Sequence, residues 1–150
     1  MQQHEPANAR FAAATTGNSI PVQAIYYNDP QPDKIFYQAL AWQKLGQPHK
    51  AEEIFRRFID FGTGHMNDEI RIDYFAVSLP DMLVFDIDIN RRNYIFCNYL
   101  IGLGKIGLGE IEQGRACLEN VLNMDINHQG AAIHLQMADF FYQISRTHVR

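Results

Sequence analysis

Gly102, Gly104 and Gly107 follow the apolar run Tyr99, Leu100 and Ile101 in the spacing G-x-G-x-x-G. Glycines so spaced can cradle a pyrophosphate, because they let backbone N–H groups approach phosphates at the start of a helix. That chemistry needs a strand before the glycines, a helix opening at them, and an acidic residue about 20 positions on, after a second strand. Asp125 lies 23 residues after Gly102 and meets the spacing. The context does not fit. Asn93 and Asn98 place polar side chains inside the would-be central strand, and "CLENVLNMD" continues a helical period without a turn. The glycines are therefore expected to let helices pack closely. NAD binding through Gly102, Gly104 and Gly107 stands as a third reading, behind two without a cofactor.

The remaining candidates for chemistry are weaker. Asp86, Asp88 and Asn90 spell the D-x-D-x-N opening of a calcium loop. Such a loop needs glycine at its sixth position and glutamate at its twelfth, where Arg91 and Cys97 stand. Capping of a helix near Arg91 by Asp88 or Asn90 is the better expectation. None of the six histidines pairs with another at the i, i+4 spacing of a helical zinc site. His49, just before Glu52 and Glu53, reads as an ordinary exposed helix start. Ser78, two residues before Pro80, reads as a helix cap rather than a nucleophile. Cys97 and Cys117 stand 20 apart, match no zinc or redox spacing, and read as buried free thiols of a reducing cytoplasm. No catalytic residue and no metal ligand is expected, and the chain is not expected to be an enzyme.

Composition narrows the partners. A chain of 150 residues is long enough for one domain with a real core, and 47% hydrophobic with 20% charged residues fits a folded one. A net charge of −4 argues against nucleic acid or an anionic membrane as the main partner. The pairs Arg56-Arg57 and Arg91-Arg92 read as solvated helix edges. The opening "MQQHEPANARFAAATT" has no apolar run of signal-peptide length, and no later run could span a bilayer, so a cytoplasmic location is expected.

Helices must position everything named so far. Residues 33–45 carry Ile35, Ala39 and Trp42 on one stripe, Gly46 suits a left-handed helix end, and Pro48 suits the first turn of the next helix. In "HKAEEIFRRFIDF" the stripe is Ala51, Ile54, Phe55, Phe58 and Ile59. The design returns 63 residues on, with Leu40 matched to Leu103, Gly46 to Gly109, Ala39 to Gly102, Ala51 to Gly114 and Phe55 to Leu118. Ala7, Phe11 and Ala14 repeat the spacing of Ala51, Phe55 and Phe58, so residues 5–15 read as the second helix of a partial unit. The stretch "HQGAAIHLQMADFFYQISRTH" reads as a long amphipathic helix capping the stack.

The small residue in the first helix, the glycine at the turn, and the alanine and phenylalanine of the second helix resemble the tetratricopeptide repeat, a hairpin of roughly 34 residues. The resemblance is good over 32–62 and 95–128, with "NMDINHQGA" standing where that repeat usually has Asp-Pro-Asn. It implies an all-α right-handed superhelix in one domain: a partial repeat 5–15, a repeat 32–62, a helical insert 63–90, a repeat 91–128 and a capping helix 129–146. The insert "RIDYFAVSLPDMLVFDIDINRRN" and the stretch "YYNDPQPDKIFYQALAWQKLG" resemble the C-terminal repeat region of a family of large bacterial proteins. Those proteins carry an N-terminal β-rich domain similar to carbohydrate-active, mutarotase-type folds. This second resemblance implies a helical tail with no catalytic residues.

Repeats of this kind bind peptides on the groove side of their first helices. Phe36, Leu40, Gln43 and Lys44, with Asp33 nearby and Tyr26 and Tyr27 at the edge, are the expected contacts. In the second copy the corresponding face is Phe96, Tyr99, Leu103 and Ile106, too apolar to leave in water. Tyr74, Phe75, Leu79, Met82, Leu83 and Phe85 of the insert are the expected cover. The leading expectation is a non-catalytic protein–protein interaction or scaffold module. The alternative is an accessory or oligomerisation tail that packs on a β-rich domain of the same system, with self-association left open.

Overall fold

The computed structural model describes residues 4–23, 29–71 and 88–147, and among them it contains six α-helices and no strand. They are α1 (His4–Ala14), α2 (Pro32–Lys44), α3 (Pro48–His65), α4 (Ile89–Gly107), α5 (Ile111–Met124) and α6 (Gln129–Thr147). Each helix packs on the next in chain order, and α4 also touches α2 and α6. Residues 72–87, which include most of the expected insert, lie outside the described residues, as do Tyr26 and Tyr27.

Two turns show why the chain doubles back where it does. Gly46 and Gly109 hold φ of +72° and +84°, the left-handed region open to glycine. Gly46 N–H donates to Gln43 O at 3.0 Å and Gln47 N–H to Trp42 O at 2.9 Å. Gly109 N–H donates to Ile106 O at 3.0 Å and Glu110 N–H to Lys105 O at 2.9 Å. Both are Schellman turns, which satisfy the last carbonyls of a helix. All eight residues correspond one to one at the 63-residue offset. Pro48 then opens α3 at a position where a missing N–H is not needed.

The core forms where the stripes meet. Ile35, Phe36 and Ala39 from α2 pack with Ala51, Ile54, Phe55 and Phe58 from α3, Leu100 and Leu103 from α4, and Leu118 and Val121 from α5. Phe55 and Phe58 are fully buried, each stabilising the fold by about 1.5–3 kcal/mol relative to exposure. The expected stripe of α1 fares differently. Phe11 is half-buried and Ala14, matched to Phe58, is exposed, because α1 packs chiefly on α2.

Several polar side chains find partners at helix ends. Asn93 Nδ2 donates to His65 O at 2.7 Å, closing the end of α3. Asp88 Oδ1 accepts from Arg91 N–H at 3.0 Å and caps α4, as expected of Asp88. Asn90 Oδ1 accepts from Ile70 N–H at 2.9 Å, so the chain leaves for the 72–87 segment and returns from it at one place. Arg91 also donates to Met124 O at 2.8 Å, at the end of α5. Arg56 pairs with Glu52 at 2.6 Å and Arg57 with Glu53 at 3.6 Å along the exposed edge of α3.

Candidate functional site

Gly102, Gly104 and Gly107 lie in the last turns of α4, the end of a helix that leaves carbonyls rather than N–H groups unpaired. A phosphate there would meet the negative end of the helix dipole. The glycines face protein instead. A Cβ on Gly102 would lie 2.9 Å from Leu118 Cδ2 in α5. On Gly104 it would lie 2.6 Å from the backbone oxygen of Phe55 and 2.8 Å from Ile59 Cγ1 in α3. On Gly107 it would run into the Phe55 ring. Bare backbone thus lets α4 sit between its two neighbours.

The same bareness opens a cleft beside α4. Leu40 and Gln43 from α2 face Ile106 and Gly107 from α4, with Gly109 of the following turn and Ile111 of α5 completing an opening of about 230 Å³. Typical small-molecule sites measure about 300–1,000 Å³, so the space suits a side chain or two rather than a dinucleotide. Its lining holds no titratable or nucleophilic side chain, and Gln43 brings the one polar side chain.

Leu40 and Gln43, named from the sequence as groove residues, line this cleft, and Lys44 next to them in the chain is exposed. Phe36 needs correction. It lines the floor of the cleft but is 0% exposed, packed on Phe55 and on His134 of α6. The apolar face of the second copy is also closed: Tyr99, Leu103 and Ile106 are buried, and Phe96 is half-buried. At Tyr99 the cover is α6, through Gly130, His128 and His134. Tyr74, Phe75, Ser78, Leu79, Pro80, Met82, Leu83, Phe85 and Asp86 lie outside the described residues.

This cover is a cluster that periodicity alone does not reveal. His134 is 2% exposed, its ring centroid 5.4 Å from Phe36, 5.6 Å from Tyr37 and 5.8 Å from Tyr99. His134 Nδ1 lies 2.7 Å from Gly130 O and 3.0 Å from Tyr99 Oη. The His128 ring lies 4.7 Å from Tyr99, and its Nδ1 accepts from Ala131 N–H at 3.0 Å. Burial holds both histidines below the usual imidazole range and raises the Tyr99 phenol.

Cys97 is buried, as expected, whereas Cys117 is only half-buried on α5. Among the described residues no three His, Cys, Asp or Glu side chains gather as a metal site. No helix among them is long and apolar enough to cross a membrane. Comparison with protein-family models and with solved structures returns no match.

Proposed function

We propose that this chain is a tetratricopeptide-like interaction module that holds a peptide segment of a partner protein and carries out no chemistry of its own. The observation that carries this reading is the recurrence of one hairpin, closed by the same Schellman turn at a 63-residue offset, with a cleft between the two first helices. Leu40 and the Gln43 amide are the contacts, with Lys44 beside them. A peptide's apolar side chain would enter the cleft while its backbone meets Gln43.

Panning a displayed peptide library against the chain tests this. Enriched peptides should carry an apolar anchor and bind Leu40→Asp at least tenfold more weakly, with the helical circular dichroism of the variant unchanged. No enrichment, or peptides indifferent to Leu40→Asp, would remove the reading.

A second reading rests on α6, which exposes Ile133 at 49%. A large apolar side chain held out on this helix favours a surface that packs on another domain or another copy. Light scattering across a dilution series separates the two cases. A dimer that Ile133→Asp dissolves supports self-association, and a monomer throughout leaves a heterologous domain as the occupant under this reading.

A further inference from the structure

α6 packs chiefly on α5, and it meets α2 and α4 through two histidines, each with a ring nitrogen at which an added proton would find no acceptor or break a cap. His134 Nδ1 lies 2.7 Å from the carbonyl oxygen of Gly130, which can only accept, so Nδ1 carries the proton. Nε2 is then the bare nitrogen, and it is buried with no hydrogen-bond partner among the described residues. Protonation would place an N–H there among the rings of Phe36, Tyr37 and Tyr99 with no acceptor. His128 is neutral for a different reason. Its Nδ1 accepts the Ala131 N–H and so caps the start of α6. Protonation would fill that lone pair and leave the N–H unpaired. The two rings flank one tyrosine, so charging both also sets two cations around Tyr99.

We infer that α6 is an acid-released latch: proton uptake by His128 and His134 undocks it from α2 and α4. The charges facing the pair are few. Asp33 on α2 acts on His134 and Asp125 at the end of α5 acts on His128, both favouring the protonated rings, while a charge on His134 disfavours one on His128. Tyr37 on α2 and Tyr99 on α4 remain neutral phenols in this range. The α5 cation nearest α6 by contact, Arg115, is engaged by Asp139 at 2.8 Å. Burial outweighs the two carboxylates at both histidines.

The sign follows from linkage. A histidine whose docked pKa is lowered binds fewer protons docked than free, so docking is strongest above the free value of about 6.5 and weakens as pH falls below it. The loss stops below the docked values. Each proton taken up on release raises the opening constant by up to about tenfold per pH unit. Undocking would bare Tyr99 and the face of Phe36 that His134 covers, enlarging the apolar surface next to the cleft.

Hydrogen exchange of the whole chain, corrected for intrinsic rates, tests the latch. Between pH 7.5 and 5.0, amides of α6 should lose protection several-fold more than those of α3 and α4. The double variant His128→Asn, His134→Gln keeps an acceptor at the cap and cannot titrate, so its α6 protection should not depend on pH. Equal behaviour of α6 and α3 in the wild type would overturn the inference, as would a double variant that loses α6 protection like the wild type. Should the variant not fold, the histidine Cε1–H resonances of the wild type decide. Titration in step with α6 release supports the latch, and histidines that stay neutral through the release end it.

Discussion

Gly107 of α4 lies against the face of Phe55 in α3 so closely that a single added methyl would enter the ring. One turn earlier, Gly104 rests on the backbone oxygen of the same residue at 2.6 Å from where its Cβ would be. A side chain can swing aside, and a helix backbone cannot. Gly104→Ala is therefore expected to destabilise the chain by about 1–3 kcal/mol through overpacking, set against a helix-propensity gain of at most about 1 kcal/mol. Gly64→Ala in α3 meets nothing within 4 Å and should instead be neutral or stabilising by up to about 1 kcal/mol. Urea midpoints that move in the same direction for both variants would contradict the packing account.

The turn glycines separate a conformational cost from a steric one. A Cβ on Gly109 also meets nothing within 4 Å, but its φ is +84°. Gly109→Ala should cost about 1–2 kcal/mol from the left-handed backbone alone. Gly46→Ala, at φ +72° with the same open surroundings, should cost the same within error. A large difference in unfolding free energy between the two would mean that the turns are not equivalent.

These contrasts show what the sequence makes legible. Gly46 before Pro48 and the stripe of Ala51, Phe55 and Phe58 are local signals, and they locate the first hairpin and its turn. Gly102 is also readable, because its partner Leu118 sits in the second helix of its own hairpin. The roles of Gly104 and Gly107 are not, since both answer to α3 in the other hairpin and no helical period encodes a contact between units. Phe36 fails for the same reason. Its period places it on the groove, but His134, on a helix far along the chain, closes that part of the groove. A lone histidine on an amphipathic helix looks identical whether it meets water or an aromatic cluster.

Asp88 gives a test of the α4 cap. Its side chain accepts the Arg91 N–H at 3.0 Å. Asp88→Ala should cost about 1 kcal/mol and Asp88→Asn only a few tenths, because asparagine caps as well as aspartate does. Thermal unfolding followed by circular dichroism will rank them. Equal losses would assign the effect to charge rather than to the hydrogen bond.

Cys97 predicts the alkaline limb of stability. It is 0% exposed, and burial, with Asp68 adding to it, pushes its thiol from 9.0 up to about 11. The folded chain then holds a proton that the unfolded chain releases, so its contribution is intact below pH 9 and falls as pH rises toward 11. The loss is at most roughly 2.7 kcal/mol for this residue, and Cys97→Ala should flatten the stability profile over that interval. The same burial makes Cys97 the slower thiol. Alkylation of native Cys117→Ser at pH 8 should be far slower than of native Cys97→Ser, since a buried thiol offers almost no accessible thiolate.

Gly130 and Tyr99 provide a coupled pair. A Cβ on Gly130 would lie 2.6 Å from Tyr99 Oη and 3.0 Å from Tyr99 Cζ. Gly130→Ala should therefore lift α6 from α4 and cost about 1–3 kcal/mol. Tyr99→Phe removes the hydroxyl that lies 3.0 Å from His134 Nδ1, at about 1 kcal/mol. It also removes the atom that the methyl added by Gly130→Ala would strike. The double variant should then be more stable than the sum of the single losses implies, by on the order of 1 kcal/mol. Denaturant unfolding of all four proteins measures that coupling. Strict additivity would mean that Tyr99 does not meet α6 through its hydroxyl, and the cover over the second groove would have to come from elsewhere in the chain.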